Sequence, residues 1–205
     1  MKNYDVTIVG LGPTGGTLAN LLALNGFSVL IFEKEKNFYP LPRAVHFDDE
    51  VMRVFQTIGI TNSFIKKTII NKGTKFVDKN NKVILDWPRP RQITKNGWYP
   101  SYRFHQPDLE KQLRKKLKSY KKVKILQNTI VKKISNYKDK VIISFNDTNS
   151  KNIYEVKSKY LIGCDGANST TRSEMKIKMA NLGFTQNWAV VDLILKNNKK
   201  NLPDR

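Results

Sequence analysis

Two periods of hydrophobic spacing follow one another in the first 33 residues. Residues 4–10, "YDVTIVG", form a short β-branched apolar run that ends in glycine, and residues 27–33, "FSVLIFE", form a second apolar run. Between them, residues 14–26, "TGGTLANLLALNG", show helical spacing with Gly26 after the last apolar position. The apolar face of this helix holds Leu18, Ala19, Leu21 and Leu22. Strand, glycine turn, helix and strand in this order predict one βαβ unit of a parallel sheet.

The middle of the chain predicts two further helices separated by a looser region. Residues 39–60 begin as a proline-punctuated loop and become helical from about Asp48, because the acidic side chains there suit the positive start of a helix. Residues 61–100 are polar and contain two short strand candidates, 74–78 and 82–87. A helix over residues 107–120 follows and is opened by Pro107.

The last third of the chain is rich in strand patterns. Residues 123–163 predict a strand and then a β-meander that returns to a buried strand. We expect one more strand at residues 187–195, "NWAVVDLIL", before a polar tail. The whole pattern predicts an α/β fold built on a Rossmann-like βαβ unit with a β-meander.

The net charge of +20 raises the question of a polyanion site. The cations are mostly lysines spread from Lys2 to Lys200, and in the densest run, residues 111–124, they alternate with apolar residues at helical spacing. We interpret this run as the solvated face of an amphipathic helix, although the charge can still attract anionic substrates or a phosphorylated cofactor. Nucleic acid is therefore not an expected partner, and a basic polyanion-binding protein is the less favoured alternative.

Membrane and metal-binding classes are also disfavoured. No apolar run approaches the roughly 20 residues of a membrane span, and the N-terminus lacks the unbroken apolar core of a signal peptide. We therefore expect a cytoplasmic protein that does not associate with membranes.

Cys164, His46 and His105 offer no zinc-ligand spacing, so no metal site is predicted. Cys164 is interpreted as a small buried residue and not as a nucleophile.

The glycine turn carries the first candidate chemistry. Gly10 allows a tight turn, Gly12 removes a Cβ that would block a pyrophosphate, and Gly15 lets the helix and strand pack closely. The helix start then offers free N–H groups to phosphates. An acid about 20 residues further on, Glu33, ends the second strand and can accept ribose hydroxyls, which argues against a 2′-phosphate on this nucleotide. The predicted dinucleotide site also includes Pro13, Thr14 and Lys34. The βαβ unit alone leaves both NAD and FAD open.

Three further motifs resemble one flavoprotein family. These are "PRA" at residues 42–44, Gln106 directly before a helix, and "GCDGANSTTR" at residues 163–172. With the glycine turn, they resemble the FAD-dependent aromatic hydroxylases of the para-hydroxybenzoate hydroxylase family. Residues 40–60, 104–110 and 183–193 look most like its 3-(3-hydroxyphenyl)propionate hydroxylase branch.

The resemblance implies FAD as the cofactor and NADH or NADPH as a transient co-substrate. By the same resemblance, Arg43 and Gln106 contact the flavin nucleotide, and Asp165 and Gly166 form the Asp-Gly pair associated with both nucleotides. Ser169 and Arg172 complete that last motif, with Arg172 interpreted either as part of the site or as an ordinary helix-surface arginine. His46 is a candidate for the flavin or substrate pocket, the alternative being a loop histidine. The aromatic residues Trp98, Tyr99 and Tyr102 suit either a substrate pocket or the core.

The resemblance also implies an activity: hydroxylation of a small, phenylpropanoid-like phenol with NAD(P)H and O2. An epoxidase or a reductase of the same fold stays open as an alternative. For the full-length protein, a homo-oligomer is among the assemblies that we expect. The family has a Gly-Asp pair in a later segment, and no Gly-Asp dipeptide occurs in the 205 residues. We therefore expect an N-terminal fragment of a longer enzyme, or else a nonfunctional truncated remnant.

The same resemblance implies a division into two units. Residues 1–75 and 101–178 would form a discontinuous FAD-binding domain. Residues 76–100 and 179–205 would form part of a substrate domain whose sheet is incomplete.

Overall fold

The computed structural model describes residues 2–38, 40–41 and 43–191. The helices are α1 (Pro13–Leu24), α2 (Asp49–Ile58), α3 (Thr61–Phe64), α4 (Gln106–Leu117) and α5 (Thr170–Glu174), with a 3-10 turn at Ile65–Lys67. The strands are β1 (Asn3–Val9), β2 (Val29–Phe32), β3 (His46–Asp48), β4 (Thr68–Ile70), β5 (Gly73–Val77), β6 (Val83–Pro88), β7 (Ser101–Phe104), β8 (Val123–Leu126), β9 (Thr129–Asn136), β10 (Val141–Asp147) and β11 (Tyr154–Gly163).

A six-stranded sheet with the order β8-β2-β1-β11-β10-β9 forms the centre of the molecule. The strands β8, β2, β1 and β11 are parallel, whereas β11, β10 and β9 form an antiparallel meander. The register pairs Val6 with Val29 on one side and with Tyr160 on the other. The α/β fold class, the βαβ unit and the β-meander predicted from the sequence are thus confirmed.

Both faces of the central strands β1 and β2 are covered, which explains their apolar runs. On one face, Val29 and Ile31 of β2 pack with Leu117 at the end of α4. On the other face, Leu30 and Phe32 of the same strand pack against the meander. Because successive strand residues point to opposite faces, β2 contributes to the apolar packing on both sides of the six-stranded sheet.

The predicted apolar face of helix α1 packs against the cores, but the small residues of the helix are buried more completely than its leucines. Its buried residues are the small ones, Gly15, Gly16, Ala19, Asn20 and Ala23. The predicted leucines at 18, 21 and 22 are only half-buried. The reason is the close approach of α4, where the Leu113 side chain would lie 3.3 Å from a Cβ on Gly16, and where Asn20 Nδ2 donates to the Leu113 carbonyl at 3.2 Å.

A second core surrounds the three-stranded sheet β3-β7-β4. Phe47 of β3 lies between Phe55, Phe64 and Tyr102, with ring centroids 5.3–5.9 Å apart. The helix predicted from Asp48 is confirmed, since the Asp48 carboxylate caps α2 by accepting from Val51 N at 2.9 Å. Each of the elements β3, β4, β7 and α3 spans only three or four residues, too few for a periodic pattern to reveal from the sequence.

Strands β5 and β6 form a separate two-stranded sheet and confirm the strands predicted at 74–78 and 82–87. Phe76, Leu85 and Trp87 alternate on one face of this hairpin, and each is about half exposed. An isolated hairpin with exposed apolar residues is marginally stable by itself.

The strand predicted at residues 187–195 is not present in its described part. Residues 187–191 form neither helix nor strand, and Trp188 and Val190 are exposed. A strand needs a hydrogen-bonded neighbour, and no described strand pairs with this segment. Residues 192–195 and the polar tail lie outside the described residues. In the part of the chain that the structure describes, no helix has the length and hydropathy to cross a membrane.

The packing of α4 on α1 gives a stability prediction. Leu113→Ala should lower the free energy of unfolding by about 2–5 kcal/mol, because the side chain is fully buried against Gly16 and leaves a cavity. Chemical denaturation measures this difference. Lys111→Ala on the exposed face of the same helix serves as the control and should stay within about 0.5 kcal/mol of the parent. Equal effects of the two substitutions would show that this contact does not hold the helices together.

Candidate cofactor-binding site

The carboxyl ends of the parallel strands meet at one edge of the sheet. Val9 lies beside Phe32 of β2 and beside Gly163 of β11. The ladder continues into the turns, where Gly10 N donates to Phe32 O and Cys164 N donates to Val9 O, both at 2.7 Å. The turns that carry the predicted glycines, Glu33 and Asp165 therefore lie together, where ligands of open α/β sheets bind.

The first turn requires glycine at two positions. Gly10 has φ +98°, and a Cβ there would collide with the carbonyl oxygen of Cys164 in the neighbouring turn. At Gly15 a Cβ would collide with the carbonyl oxygen of Gly10 and would lie 3.3 Å from Cys164 Cβ. These contacts are the tight turn and the close helix packing predicted from the sequence.

Gly12 differs from both, because no contact among the described residues requires it to be glycine. Its φ of −76° and ψ of −170° suit any residue, and apart from its chain neighbours no described atom lies within 4 Å of a Cβ built there. Gly12 is also the N-cap of α1 and offers no side-chain acceptor to the first turn. Since the first N–H groups of a helix have no partners within it, this open position fits the pyrophosphate of a dinucleotide.

Glu33 fixes the glycine turn against the end of β2. Its buried carboxylate accepts from Leu11 N at 2.8 Å through Oε2 and from Glu35 N at 2.9 Å through Oε1. Each carboxylate oxygen can accept more than one hydrogen bond, so capacity remains for ribose hydroxyls. Lys34, the next residue, is exposed and lies 3.8 Å from the Glu35 carboxylate.

Asp165 holds the start of α5. Its Oδ1 accepts from Ser169 Oγ at 2.6 Å, and its Oδ2 accepts from Thr171 N at 3.0 Å. Burial of the carboxylate works to raise its pKa, but the hydrogen bonds from Ser169 and Thr171 outweigh this effect and hold the pKa below its usual range. Gly166 follows with φ +81°, a conformation that favours glycine.

The remaining residues of this motif support the turn. Ser169 caps α5 by accepting from Arg172 N at 2.9 Å. The Arg172 guanidinium donates to Ala167 O at 2.9 Å, which agrees with a structural role. Burial and the neighbouring Asp165 raise the pKa of the Cys164 thiol, which disfavours the thiolate form that a nucleophile requires.

Gln106 anchors the loop that carries Arg43. It is the buried first residue of α4, and its Oε1 accepts from Arg43 N and Ala44 N, both at 2.9 Å. Its Nε2 donates to Glu110 Oε1 at 2.8 Å. The side-chain oxygen of Gln106, the residue predicted to contact the flavin nucleotide, thus accepts from the backbone of this loop, and Arg43 is exposed. Sequence reasoning missed Glu110, because in the sequence it cannot be distinguished from the other charged residues of a solvent-exposed helix.

His46 lies in β3 and Tyr102 in β7, within the three-stranded sheet, and Trp98 and Tyr99 precede β7. His46 is exposed and pairs with Arg103 across the ladder. Tyr102 is buried and stacks on Phe47, and its hydroxyl accepts from Tyr99 N at 2.9 Å. Trp98 packs against the same core. The three aromatic residues therefore belong to the second core, while His46 as a pocket residue stays a prediction.

An open cleft of about 630 Å³ lies beside the glycine turn. Its walls include Leu11, Phe38, Arg114, Ile125 and Gln127. None of the predicted cofactor-binding residues that the structure describes lines it. Within the described ranges, no cluster of three or more His, Cys, Asp or Glu side chains could hold a metal ion.

Fold and site define a dinucleotide-binding domain of the Rossmann-like class. A glycine turn, an acid after β2 and an Asp-Gly turn after β11 meet at the carboxyl edge of a parallel sheet. Residues 3–203 match the model of the FAD binding domain family, and the chain belongs to this family. The prediction of FAD as the cofactor is thereby confirmed.

Relatives with curated names are aromatic hydroxylases. The "Probable NADH-specific resorcinol 4-hydroxylase" of Rhodococcus jostii (strain RHA1) is 35% identical over 98% of this chain and 38% of its own length. The 3-(3-hydroxy-phenyl)propionate/3-hydroxycinnamic acid hydroxylase of Mycolicibacterium smegmatis is 31% identical over 92% of this chain and 33% of its own length. The chain therefore spans little more than a third of these relatives, and the predicted family resemblance is confirmed.

Solved structures share the fold. The p-nitrophenol 4-monooxygenase PnpA from Pseudomonas putida DLL-E4 superposes with a TM-score of 0.76 at 22% identity, over 85% of this chain and 44% of that one. The flavin-dependent monooxygenase PieE, solved in complex with FAD and substrate, gives a TM-score of 0.76 at 20% identity, over 85% of this chain and 32% of that one.

The Asp165 geometry predicts a pH-dependent contribution to stability. Asp165→Asn should lower the free energy of unfolding by about 1–2 kcal/mol at neutral pH, because the amide cannot accept all the hydrogen bonds that the carboxylate does. A carboxylate with a lowered folded-state pKa stabilises the fold above its unfolded pKa of about 4 and loses this effect as the pH falls through the lower, folded value. The difference between parent and variant should therefore shrink below about pH 4.

Denaturation midpoints at a series of pH values measure this dependence. Asp139→Asn in the exposed turn between β9 and β10 is the matched control and should show little difference at any pH. A difference at Asp165 that is constant from neutral to acid pH would contradict the assignment.

Proposed function

We propose that the chain is the FAD-binding N-terminal part of a monooxygenase that hydroxylates a small phenolic substrate with NAD(P)H and O2. The observation that carries the proposal is Gly12, an unhindered position at the N-cap of α1 that the fold itself does not require to be glycine. Family membership supports FAD as the occupant. The hydroxylase names of the two curated relatives support the reaction class.

When bound, FAD supplies the redox chemistry, accepting a hydride from the nicotinamide and activating O2 for transfer of one oxygen atom to the ring. The chain's own task is to bind and orient the cofactor. We assign the pyrophosphate to the turn that holds Gly10, Gly12, Pro13, Thr14 and Gly15, where the helix start favours negative charge. We assign the ribose to Glu33, whose carboxylate is already oriented by Leu11 N and Glu35 N. Lys34 is the neighbouring cation.

The other predicted residues enclose the site from two sides. Arg43 lies on a loop held by Gln106, and a guanidinium at this place can pair with phosphate in a bidentate way. Asp165 and Gly166 present the second turn, with the carboxylate locked by Ser169 and Thr171. His46 is proposed as a pocket residue of the complete enzyme.

Substrate class and co-substrate follow from the relatives. A resorcinol hydroxylase named as NADH-specific and a hydroxyphenylpropionate hydroxylase favour a hydroxylated aromatic substrate and a nicotinamide donor. We further propose a cytoplasmic location, no nucleic-acid partner, and a homo-oligomer for the full-length protein. In the helix whose cations suggested a polyanion site, Leu109, Leu113 and Leu117 are buried and the lysines lie outside, as an amphipathic helix requires.

The division into two units remains part of the proposal. Residues 1–75 and 101–178 would bind FAD, and residues 76–100 and 179–205 would belong to the substrate domain. In support, β5 and β6 form a sheet separate from the six-stranded one. The apolar face of this hairpin would then pack against substrate-domain sequence of the kind found in the longer relatives.

The cofactor assignment predicts that Gly12 substitutions separate binding from stability. Gly12→Ala and Gly12→Val should lower the free energy of unfolding by no more than about 1 kcal/mol, the cost of an apolar N-cap, because a Cβ at this position has no described atom within 4 Å. FAD affinity, followed by flavin fluorescence on titration, should fall with side-chain size, by at least about tenfold for valine, a loss of about 1.4 kcal/mol. Gly15→Ala is the contrasting variant and should lower stability itself, since its Cβ meets Gly10. Unchanged FAD affinity in Gly12→Val would sink the site assignment.

The reaction assignment predicts oxygen insertion. The native protein that carries this chain should oxidise NADH or NADPH faster when a phenolic substrate is added, and mass spectrometry should find a product heavier by one oxygen atom. Isotopically labelled O2 traces the source of that atom. Nicotinamide oxidation without a hydroxylated product would instead favour another FAD-dependent oxidoreductase of this fold.

A further inference from the structure

Three polar side chains occupy one face of α4 at intervals of four residues: Gln106, Glu110 and Arg114. Such spacing places them one above the other along the helix. Gln106 and Glu110 are buried, and the Arg114 side chain is 14% exposed. Because these three polar side chains are largely buried while the other cations of the helix face solvent, they do not contribute to its solubility and must have another role.

The three side chains connect separate loops of the cofactor site. At one end, Gln106 accepts from the backbone N–H groups of Arg43 and Ala44 and donates to Glu110 Oε1 at 2.8 Å. In the middle, Glu110 Oε2 lies 3.6 Å from Arg114 Nη2. At the other end, the same Arg114 nitrogen donates to Leu11 O at 3.2 Å, inside the glycine turn.

The relay continues across the turn to the ribose-binding acid. Leu11 N donates to Glu33 Oε2 at 2.8 Å, so the peptide groups on either side of Leu11 are fixed from two directions. The loop of Arg43, the glycine turn and the end of β2 are thereby linked through α4, although they lie far apart in sequence.

Stability alone does not account for this arrangement. A buried ion pair costs desolvation energy that its attraction barely offsets, and well-packed apolar residues of similar size often stabilise a fold as much or more. The neighbouring positions on α4, Leu109 and Leu113, provide such apolar packing. What the polar stripe provides in addition is directional contact with backbone groups of the site.

We propose that Glu110 and Arg114 are positioning residues that hold the Arg43 loop and the glycine turn in the relative placement that FAD binding requires. The inference rests on the proposed FAD-binding function. Neither residue touches the cofactor in this account. Glu110 acts through Gln106 on the loop, and Arg114 acts through the Leu11 carbonyl on the turn.

Amide hydrogen exchange in the absence of flavin tests the positioning separately from cofactor binding. In Glu110→Gln, the Arg43 and Ala44 amides should exchange at least about threefold faster than in the parent chain, because Gln106 loses its charged partner and the loop opens more often. In Arg114→Met, the Leu11 amide should show the same change. Strand amides such as Ile8 and Ile31 should keep the parent rate in both variants. Arg114→Lys keeps the charge and should recover part of the protection.

Flavin titration of the same variants supplies the second readout. FAD affinity should fall about tenfold in Glu110→Gln and in Arg114→Met. The effects should be less than additive in the double variant, because the two residues act as one unit. Matched controls are Glu155→Gln, a hydrogen-bonded carboxylate of β11, and Lys115→Met, an exposed cation of α4. Neither control should change FAD affinity.

Two results would overturn the proposal: parent-like exchange at Arg43, Ala44 and Leu11, or an acceleration spread evenly over the sheet, which marks a general loss of stability. Should Glu110→Gln fail to fold, Arg114→Lys and Arg114→Met decide by the same criteria. A parent chain that binds no FAD refutes the proposed function, whereas the exchange pattern still decides whether the two side chains hold the loops.

Discussion

The close approach of two turns at the carboxyl edge of the sheet is the constraint on which this molecule depends. Gly10 and Gly15 leave no space for a Cβ, because the backbone of Cys164 and the carbonyl of Gly10 occupy it. The parallel strands β1 and β11 can therefore end side by side, with Cys164 N donating to Val9 O at 2.7 Å. Without this contact the glycine turn and the Asp-Gly turn would not lie side by side at this edge of the sheet.

Hydrogen bonds between side chains and backbone further fix the turns that this close packing brings together. Each turn that we propose to face the cofactor is held by a buried or half-buried side chain that accepts hydrogen bonds from backbone: Glu33 from Leu11 and Glu35, Gln106 from Arg43 and Ala44, Asp165 from Thr171. Backbone groups fixed in this way need little rearrangement when a ligand arrives, which lowers the entropic cost of binding. At Gly12, in contrast, no described atom fills the space that a side chain would occupy.

Local patterns in the sequence were sufficient for the elements that repeat a period over many residues, and for the glycine turn. The βαβ unit, the meander and the helix of Leu109, Leu113 and Leu117 follow directly from such patterns. The deeper burial of the small residues of α1 could not be predicted from its leucines, since it depends on how closely Leu113 of another helix approaches Gly16. Residues 187–195 have the composition of a strand, but the described part, residues 187–191, forms none, because no described strand lies beside it to pair with. Glu110 and Arg114 look like surface charges until the tertiary structure places Gln106 and Leu11 beside them.

We propose that three segments distant in sequence, the glycine turn, the Arg43 loop and the Asp-Gly turn, bind one FAD molecule. Amide chemical-shift mapping of the isotopically labelled chain during addition of FAD tests this most directly. The amides of Gly12, of residues 14–16, of Arg43 and Ala44, and of Asp165 and Gly166 should shift together with one binding curve. Shifts confined to one of these turns, or centred on the exposed hairpin of residues 73–88, would contradict it.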